Sequence, residues 1–184
     1  MRKLMRGVAP CLLLWAGCAA PAAAQHGELQ FGGVVSYGLA SSFREGAGAV
    51  AGIALGRLAY VGLRWVYQGG STDGGGAGAA VTNRTRLFTM DLGLMLPVGG
   101  VEIVPGMALG AARFSQRGAT PAHATEFVIG PALSIHAHVG GIVAIPEIQY
   151  LVAGHPDLPR PAATRSLVAG FRVVFPVEVQ RIRY

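Results

Sequence analysis

The stretch Leu29-Gln30-Phe31-Gly32-Gly33-Val34-Val35-Ser36-Tyr37-Gly38-Leu39-Ala40 alternates in polarity. Leu29, Phe31, Val35, Tyr37 and Leu39 share one face, while Gln30, Gly32, Ser36, Gly38 and Ala40 share the other. Only Gly33 and Val34 blur the division. A helix, with a period near 3.6, would scatter both sets around its circumference, so the stretch predicts a strand with one apolar face. It also reaches the roughly 9 to 11 residues that a tilted strand needs to cross a bilayer.

Seven further segments are read as strands, six of them on the same alternation. Ala47 to Arg57 is the poorest, mostly small residues with Ile53 and Leu55. Tyr60 to Gly69 places Leu63, Trp65 and Tyr67 on one face and Arg64, Val66 and Gln68 on the other. Arg86 to Leu96 sends Phe88, Met90, Leu92 and Leu94 outward and Thr89, Asp91 and Gly93 inward. Val101 to Phe114 sends out Ile103, Met107, Leu109 and Ala111 and turns in Glu102, Gly106, Ala108 and Gly110. Glu126 to Val139 sends out Phe127, Ile129, Leu133, Ile135 and Val139, with Glu126, Ser134, His136 and His138 inside. Ile142 to Val152 sends out Ile148 and Tyr150 and turns in Glu147 and Gln149. Leu167 to Phe175 sends out Leu167, Phe171, Val173 and Phe175 and turns in Gly170 and Arg172.

The connections alternate in length. Tight ones fall near Leu58-Ala59, at Pro97 to Gly100 and at Gly140-Gly141; longer ones at Ser41 to Gly46, Gly70 to Asn83, Ser115 to Ala124 and Gly154 to Thr164. Eight strands with short turns at one end and longer loops at the other are expected of an outer-membrane barrel, whereas a soluble sandwich has no reason to keep that order. Pro105, Pro131 and Pro146 fall inside strands, where a missing N–H costs a ladder bond, so they weigh against the strand reading or mark bulges.

Composition agrees. Of 184 residues, 52% are hydrophobic and 13% charged, yet no stretch after Gln25 is a continuous apolar block of membrane-helix length. Arg2, Lys3 and Arg6, the apolar run Gly7 to Ala20, and Ala22-Ala23-Ala24 follow the order of a secretory signal peptide. The expected domains are a signal peptide at 1–24 and one barrel at 25–184. Trp15-Ala16-Gly17-Cys18 is similar to the end of a lipoprotein signal, with Trp15 departing from the aliphatic residue usual there. Both cysteines, Cys11 and Cys18, lie in the signal, so the mature chain carries no disulfide framework and no thiol nucleophile. Removing the three basic residues of the signal leaves 12 basic against 9 acidic residues, a net charge of +3. The arginines are scattered singly, without the basic run of a nucleic-acid binder.

With these strands, the chain from Gln25 to Tyr184 resembles the small OmpA/OmpX-type outer-membrane barrels. The resemblance implies an all-β fold, a closed antiparallel up-and-down transmembrane β-barrel of about eight strands. It implies an outer-membrane location, outer-membrane lipid as surroundings, and a C-terminal aromatic, Phe175 or Tyr184, read by the barrel assembly machinery. A monomer is expected, with no cofactor and no nucleic-acid partner.

Counted from the tight turns, Arg64, Asp91, Glu147 and Arg172 reach similar depths and point inward, with His136 and His138 slightly lower. In a lumen just wide enough for side chains, charges of both signs should pair into a buried polar network. Tyr37, Trp65, Tyr67, Tyr150 and Phe171 are candidates for the outer aromatic girdle. His136-Ala137-His138 sets two imidazoles on one face, but nothing fixes a third metal ligand, so the histidines read as lumen packing. Gly46-x-Gly48-x-x-x-Gly52 misses the dinucleotide spacing, and Gly74-Gly75-Gly76 is followed by no Lys-Ser or Lys-Thr, so neither is a phosphate-binding loop. Ser134 and His136 share a face near Glu147 and suggest a hydrolase of the lipid A deacylase kind, but that family's neighbouring pattern is absent. The expectation is therefore a non-enzymatic envelope or surface-interaction protein with a plugged polar lumen. Two alternatives are a lipocalin-like periplasmic binder, with Trp65 and Phe88 inside and Arg64 and Asp91 outside, and the lipid hydrolase.

Overall fold

The computed structural model describes residues 27–179 apart from 57, 74–80 and 119–120, and only the backbone of Asp73. The expected signal, the Cys18 motif, most of the glycine-rich loop and Tyr184 lie outside the described residues. The strands are β1 (Gly27–Gly38), β2 (Glu45–Leu55), β3 (Ala59–Asp73), β4 (Val81–Leu94), β5 (Leu96–Val98), β6 (Val101–Arg117), β7 (Ala122–Val139), β8 (Ile142–Ala153) and β9 (Arg165–Val179). They form one antiparallel sheet in the order β4-β3-β2-β1-β9-β8-β7-β6-β5, in which β4 also pairs with β6 as an ordinary hairpin and the first strand, β1, pairs with the last, β9, to close the barrel. Three-residue β5 continues the line of β4 beyond Met95, so the wall has eight staves. Closure pairs each stave of the wall with a neighbour on both sides, so no open sheet edge is left among the described strands.

The alternation places the two faces as the sequence suggested. Trp65, Phe88 and Phe127 face outward at 49%, 55% and 60% exposure, while Arg64 and Arg172 are 4% and 3% exposed. Val34, which blurs the pattern in β1, is inside. Small residues on the inner faces complement large ones: a Cβ at Gly52 or at Gly62 would meet the Tyr60 hydroxyl at 2.5 Å. That complementarity explains the weak signal of β2, whose small residues make room for their neighbours.

The strands run further toward the long-loop end than the hydrophobic pattern indicates. β3 reaches Asp73, β4 starts at Val81, β6 reaches Arg117 and β7 starts at Ala122. Polar residues carry these extensions by pairing across the ladder, as where Thr72 and Thr82 hydroxyls meet at 3.1 Å. At the opposite, tight-turn end β9 continues past Phe175 to Val179, because Val177 and Val179 still pair with Leu29 and Gly27. The first tight turn begins at Gly56 rather than near Leu58-Ala59, since Ala59 already pairs with Leu55. Pro97 belongs to β5, leaving Gly99-Gly100 as the turn between β5 and β6.

Pro105, Pro131 and Pro146 each sit at a gap in a ladder rather than at a bulge, whereas Pro97 and Pro176 keep Glu102 and Gln30 as register partners. Pairing of β6 with the β4–β5 stave stops at Gly93–Gly106 and resumes at Leu96–Ile103, leaving out Pro105. Between β7 and β8 the register is unchanged, but pairs are missing around Pro131 and around Pro146. A residue without an N–H cannot donate, and the wall tolerates it by omitting the pair.

Candidate functional site

Four strands each deliver one charged side chain to a common point in the lumen. Arg64 projects from β3, Asp91 from β4, Glu147 from β8 and Arg172 from β9, all inward through strand parity. Arg64 donates from Nη2 to Asp91 Oδ2 at 2.6 Å and from Nε to the same oxygen at 3.1 Å. It also donates from Nη1 to Glu147 Oε1 at 2.6 Å and from Nη2 to Glu147 Oε2 at 2.8 Å. Arg172 closes the ring, its Nη2 lying 2.9 Å from Glu147 Oε2 and its Nη1 3.4 Å from Asp91 Oδ2. Two guanidinium forks therefore share two carboxylates, and the formal charges cancel. Such pairs compensate the loss of hydration only when nearly every donor and acceptor is engaged, and this geometry approaches that condition.

Tyr60 and His136 extend the cluster. Arg172 Nη1 donates to Tyr60 Oη at 3.3 Å, with its guanidinium carbon 5.6 Å from the ring centre. Tyr60 meets His136 edge to face at 5.4 Å, and His136 Nε2 lies 3.3 Å from Ser134 Oγ. Gly170 faces Glu147 so closely that a Cβ there would come within 2.7 Å of Oε1. A cavity of about 20 Å³, room for roughly one water, is lined by Tyr60, Asp91, Ser134, Glu147 and Arg172 among others. His136 Nδ1 and Arg172 Nε have no hydrogen-bond partner among the described residues. The described residues hold no group of three His, Cys, Asp or Glu side chains placed to bind a metal.

The lumen is layered. Along the staves that carry the charges, buried Val66, Leu87, Leu151 and Val168 lie toward the long-loop end, and Ile145 and Val174 toward the tight-turn end. The charged tier is thus held between apolar ones, which shields its ion pairs from water. At the long-loop end, the segment 39–44 folds into the mouth. Phe43 is fully buried and packs edge to face on Phe114 at 5.9 Å. Its backbone is held by several contacts: Thr85 Oγ1 donates to Ser42 O at 2.6 Å, and Ser71 N, at a bulge in β3, donates to Ser41 O at 2.9 Å. The segment 154–164 crosses beside it, with Ala163 N donating to Ser42 Oγ at 3.1 Å and Gln116 Nε2 donating to Arg160 O at 2.8 Å.

No protein-family model and no curated protein sequence matches the chain. Solved structures do. Neisserial surface protein A (NspA) is 11% identical, with a TM-score of 0.60 over 81% of this chain and 96% of its own. A major outer membrane protein from Thermus thermophilus is 10% identical, with a TM-score of 0.63 over 82% of this chain and 99% of its own. The fold is that of the small outer-membrane β-barrels. At such identity the likeness is one of fold, and the side chains inside the outer-membrane-type barrel are this chain's own.

Within that barrel the expected network residues separate. Arg64, Asp91, Glu147 and Arg172 meet directly, and His136 joins them through Tyr60. His138 does not belong to the network: its side chain is 46% exposed at the tight-turn mouth, 3.8 Å from Glu102 Oε2. One step of two residues along β7 carries it past the rim, because the strand ends at Val139. Ser134 is register partner of Glu147, as the hairpin suggested. Of the girdle candidates, Tyr37, Trp65, Tyr150 and Phe171 are exposed on the outer wall and Tyr67 is half-buried there. Tyr37 accepts from Arg44 Nη1 at 2.6 Å near the long-loop rim, while Phe171 sits lower, opposite Val35.

Sequence reasoning missed Tyr60 and Phe43. Tyr60 has the inward parity of Arg64 and Gln68, but an uncharged aromatic at the head of its strand gave no sign of joining the charged set. Phe43 sits in a loop, and its signal was the isolated large apolar residue after Ser41-Ser42.

Proposed function

We propose that the protein is an outer-membrane barrel of the bacterial envelope, with a structural or surface-interaction role and a lumen closed to solutes. The observation that carries this reading is the inverted burial: apolar side chains cover the outside while Arg64, Asp91, Glu147 and Arg172 are buried within. Such a wall suits hydrocarbon surroundings. A lipocalin-like binder would need the opposite, with Trp65 and Phe88 inside. The charged ring and the Phe43 cap support a closed interior, leaving the loops as the surface for interaction. The barrel would fold as a monomer among outer-membrane lipids, delivered by assembly machinery reading Phe175 or Tyr184; Phe175 lies exposed within β9.

The test is gel mobility of the mature chain from outer-membrane fractions, with and without boiling in SDS. A faster-migrating unboiled form is expected; a chain found in the soluble periplasm with no shift overturns the reading.

A further inference from the structure

We propose that Arg84, Arg86, Arg113 and Arg117, on the outer wall of β4 and β6, form a binding site for a lipid whose headgroup carries more than one phosphate. All four leave the barrel outward near the long-loop end. Arg86 and Arg113 are direct register partners, Arg84 faces Ser115, and Arg117 faces Thr82. Like charges directly opposed on one face of a strand pair are destabilising unless something neutralises them. None of the four makes an ion pair with a carboxylate among the described residues. The nearest stave with an outward acid carries Glu45, which lies against Gly69, the partner of Arg84.

The register fixes the depth of the cluster. Trp65, Phe88, Ala111 and Phe127 are successive partners around β3, β4, β6 and β7, an outward apolar row. Two residues further toward the loops the same staves present Tyr67, Arg86, Arg113 and Thr125. That step is about 7 Å at ~3.4 Å per residue, so the guanidinium groups begin where hydrocarbon gives way to headgroups. Arginine forks match phosphate oxygens, and at this depth a phosphate is the anion that the surroundings supply. Arg113 and Arg117 stand about 14 Å apart along β6, a span that one phosphate cannot bridge. Ser115 and His123, paired across β6 and β7, add polar groups within the patch. The outward faces of β1, β7 and β8 carry no Asp, Glu, Lys or Arg, so the patch belongs to one side of the barrel.

The inference rests on the membrane reading above, and the boiling-dependent mobility shift reports that reading separately. The full mature chain, folded in uncharged detergent, would be examined by native mass spectrometry with lipid A, which carries two phosphates, with phosphatidylglycerol, which carries one, and with inorganic phosphate. Wild type should retain lipid A at least tenfold more tightly than phosphatidylglycerol. R84Q/R86Q/R113Q/R117Q should lose at least tenfold of that affinity, the milder R86Q/R113Q several-fold, and R165Q, on β9, should keep it. Both multiple variants should keep the mobility shift; if the fourfold one does not fold, R86Q/R113Q decides. Undiminished lipid A retention by the folded variants, equal binding of phosphatidylglycerol, or equally tight binding of inorganic phosphate would each overturn the proposal.

Discussion

At the residue scale, the charged tier is a closed set in which no member can be removed without stranding another. Glu147 accepts from both arginines, so Glu147→Gln leaves Arg64 and Arg172 sharing Asp91 alone. Breaking a buried pair by neutralising one partner costs about 3 to 5 kcal/mol, because the surviving charge stays out of water. We expect a loss of that size in urea unfolding of the folded barrel in lipid vesicles. Glu102→Gln, at the half-exposed His138 pair, serves as control and should cost well under ~1 kcal/mol. Equal effects of the two substitutions would mean that the lumen tier is hydrated and the ring only loosely held. The ring was legible in sequence because its four members fall on four well-alternating strands. Tyr60 was not, since its role depends on the space cleared by Gly62, the next inward residue of β3, and by that residue's cross-strand partner Gly52.

At the element scale, the tight turns set the register on which every inward position depends. Gly56, Gly99 and Gly140 each have φ near +60°, a conformation that costs a residue with a Cβ roughly 1 kcal/mol or more. Gly140→Val should therefore destabilise the β7–β8 hairpin and slow refolding into vesicles, whereas Gly141→Val, at a neighbouring position without positive φ, should do so less. Refolding rates followed by gel mobility would show it, and identical rates would argue that register is set by cross-strand packing alone. The strand ends were poorly legible for a related reason. Beyond the apolar outer belt polar residues occupy both faces, alternation fades, and only pairing partners such as Thr72 and Thr82 show that the ladder continues. The prolines were legible as disturbances, but which ladder each interrupts is decided by the neighbour it meets.

At the scale of the whole molecule, the proposed closed lumen rests on two layers in series, the Phe43 packing at the long-loop end and the charged ring below it. Folded protein in a planar lipid bilayer should accordingly show no steady open conductance. Phe43→Ala should not open one either, because the ring remains. A stable conducting step in the wild type would show that the interior rearranges in the membrane and would remove the closed-lumen proposal.

The number of staves, their inward and outward faces, the alternation of short and long connections, and the four charges that share one depth could all be read along the chain. These follow from a period of two and from position along single strands, which are local properties of the chain. Folding alone settled the register in which β1 closes on β9, that Tyr60 joins the ring while His138 stands outside it, that Phe43 fills the mouth, and that four outward arginines form one patch. Each of these depends on which residues of different strands become neighbours. That is fixed by register and closure of the sheet, and alternation along one strand does not encode it.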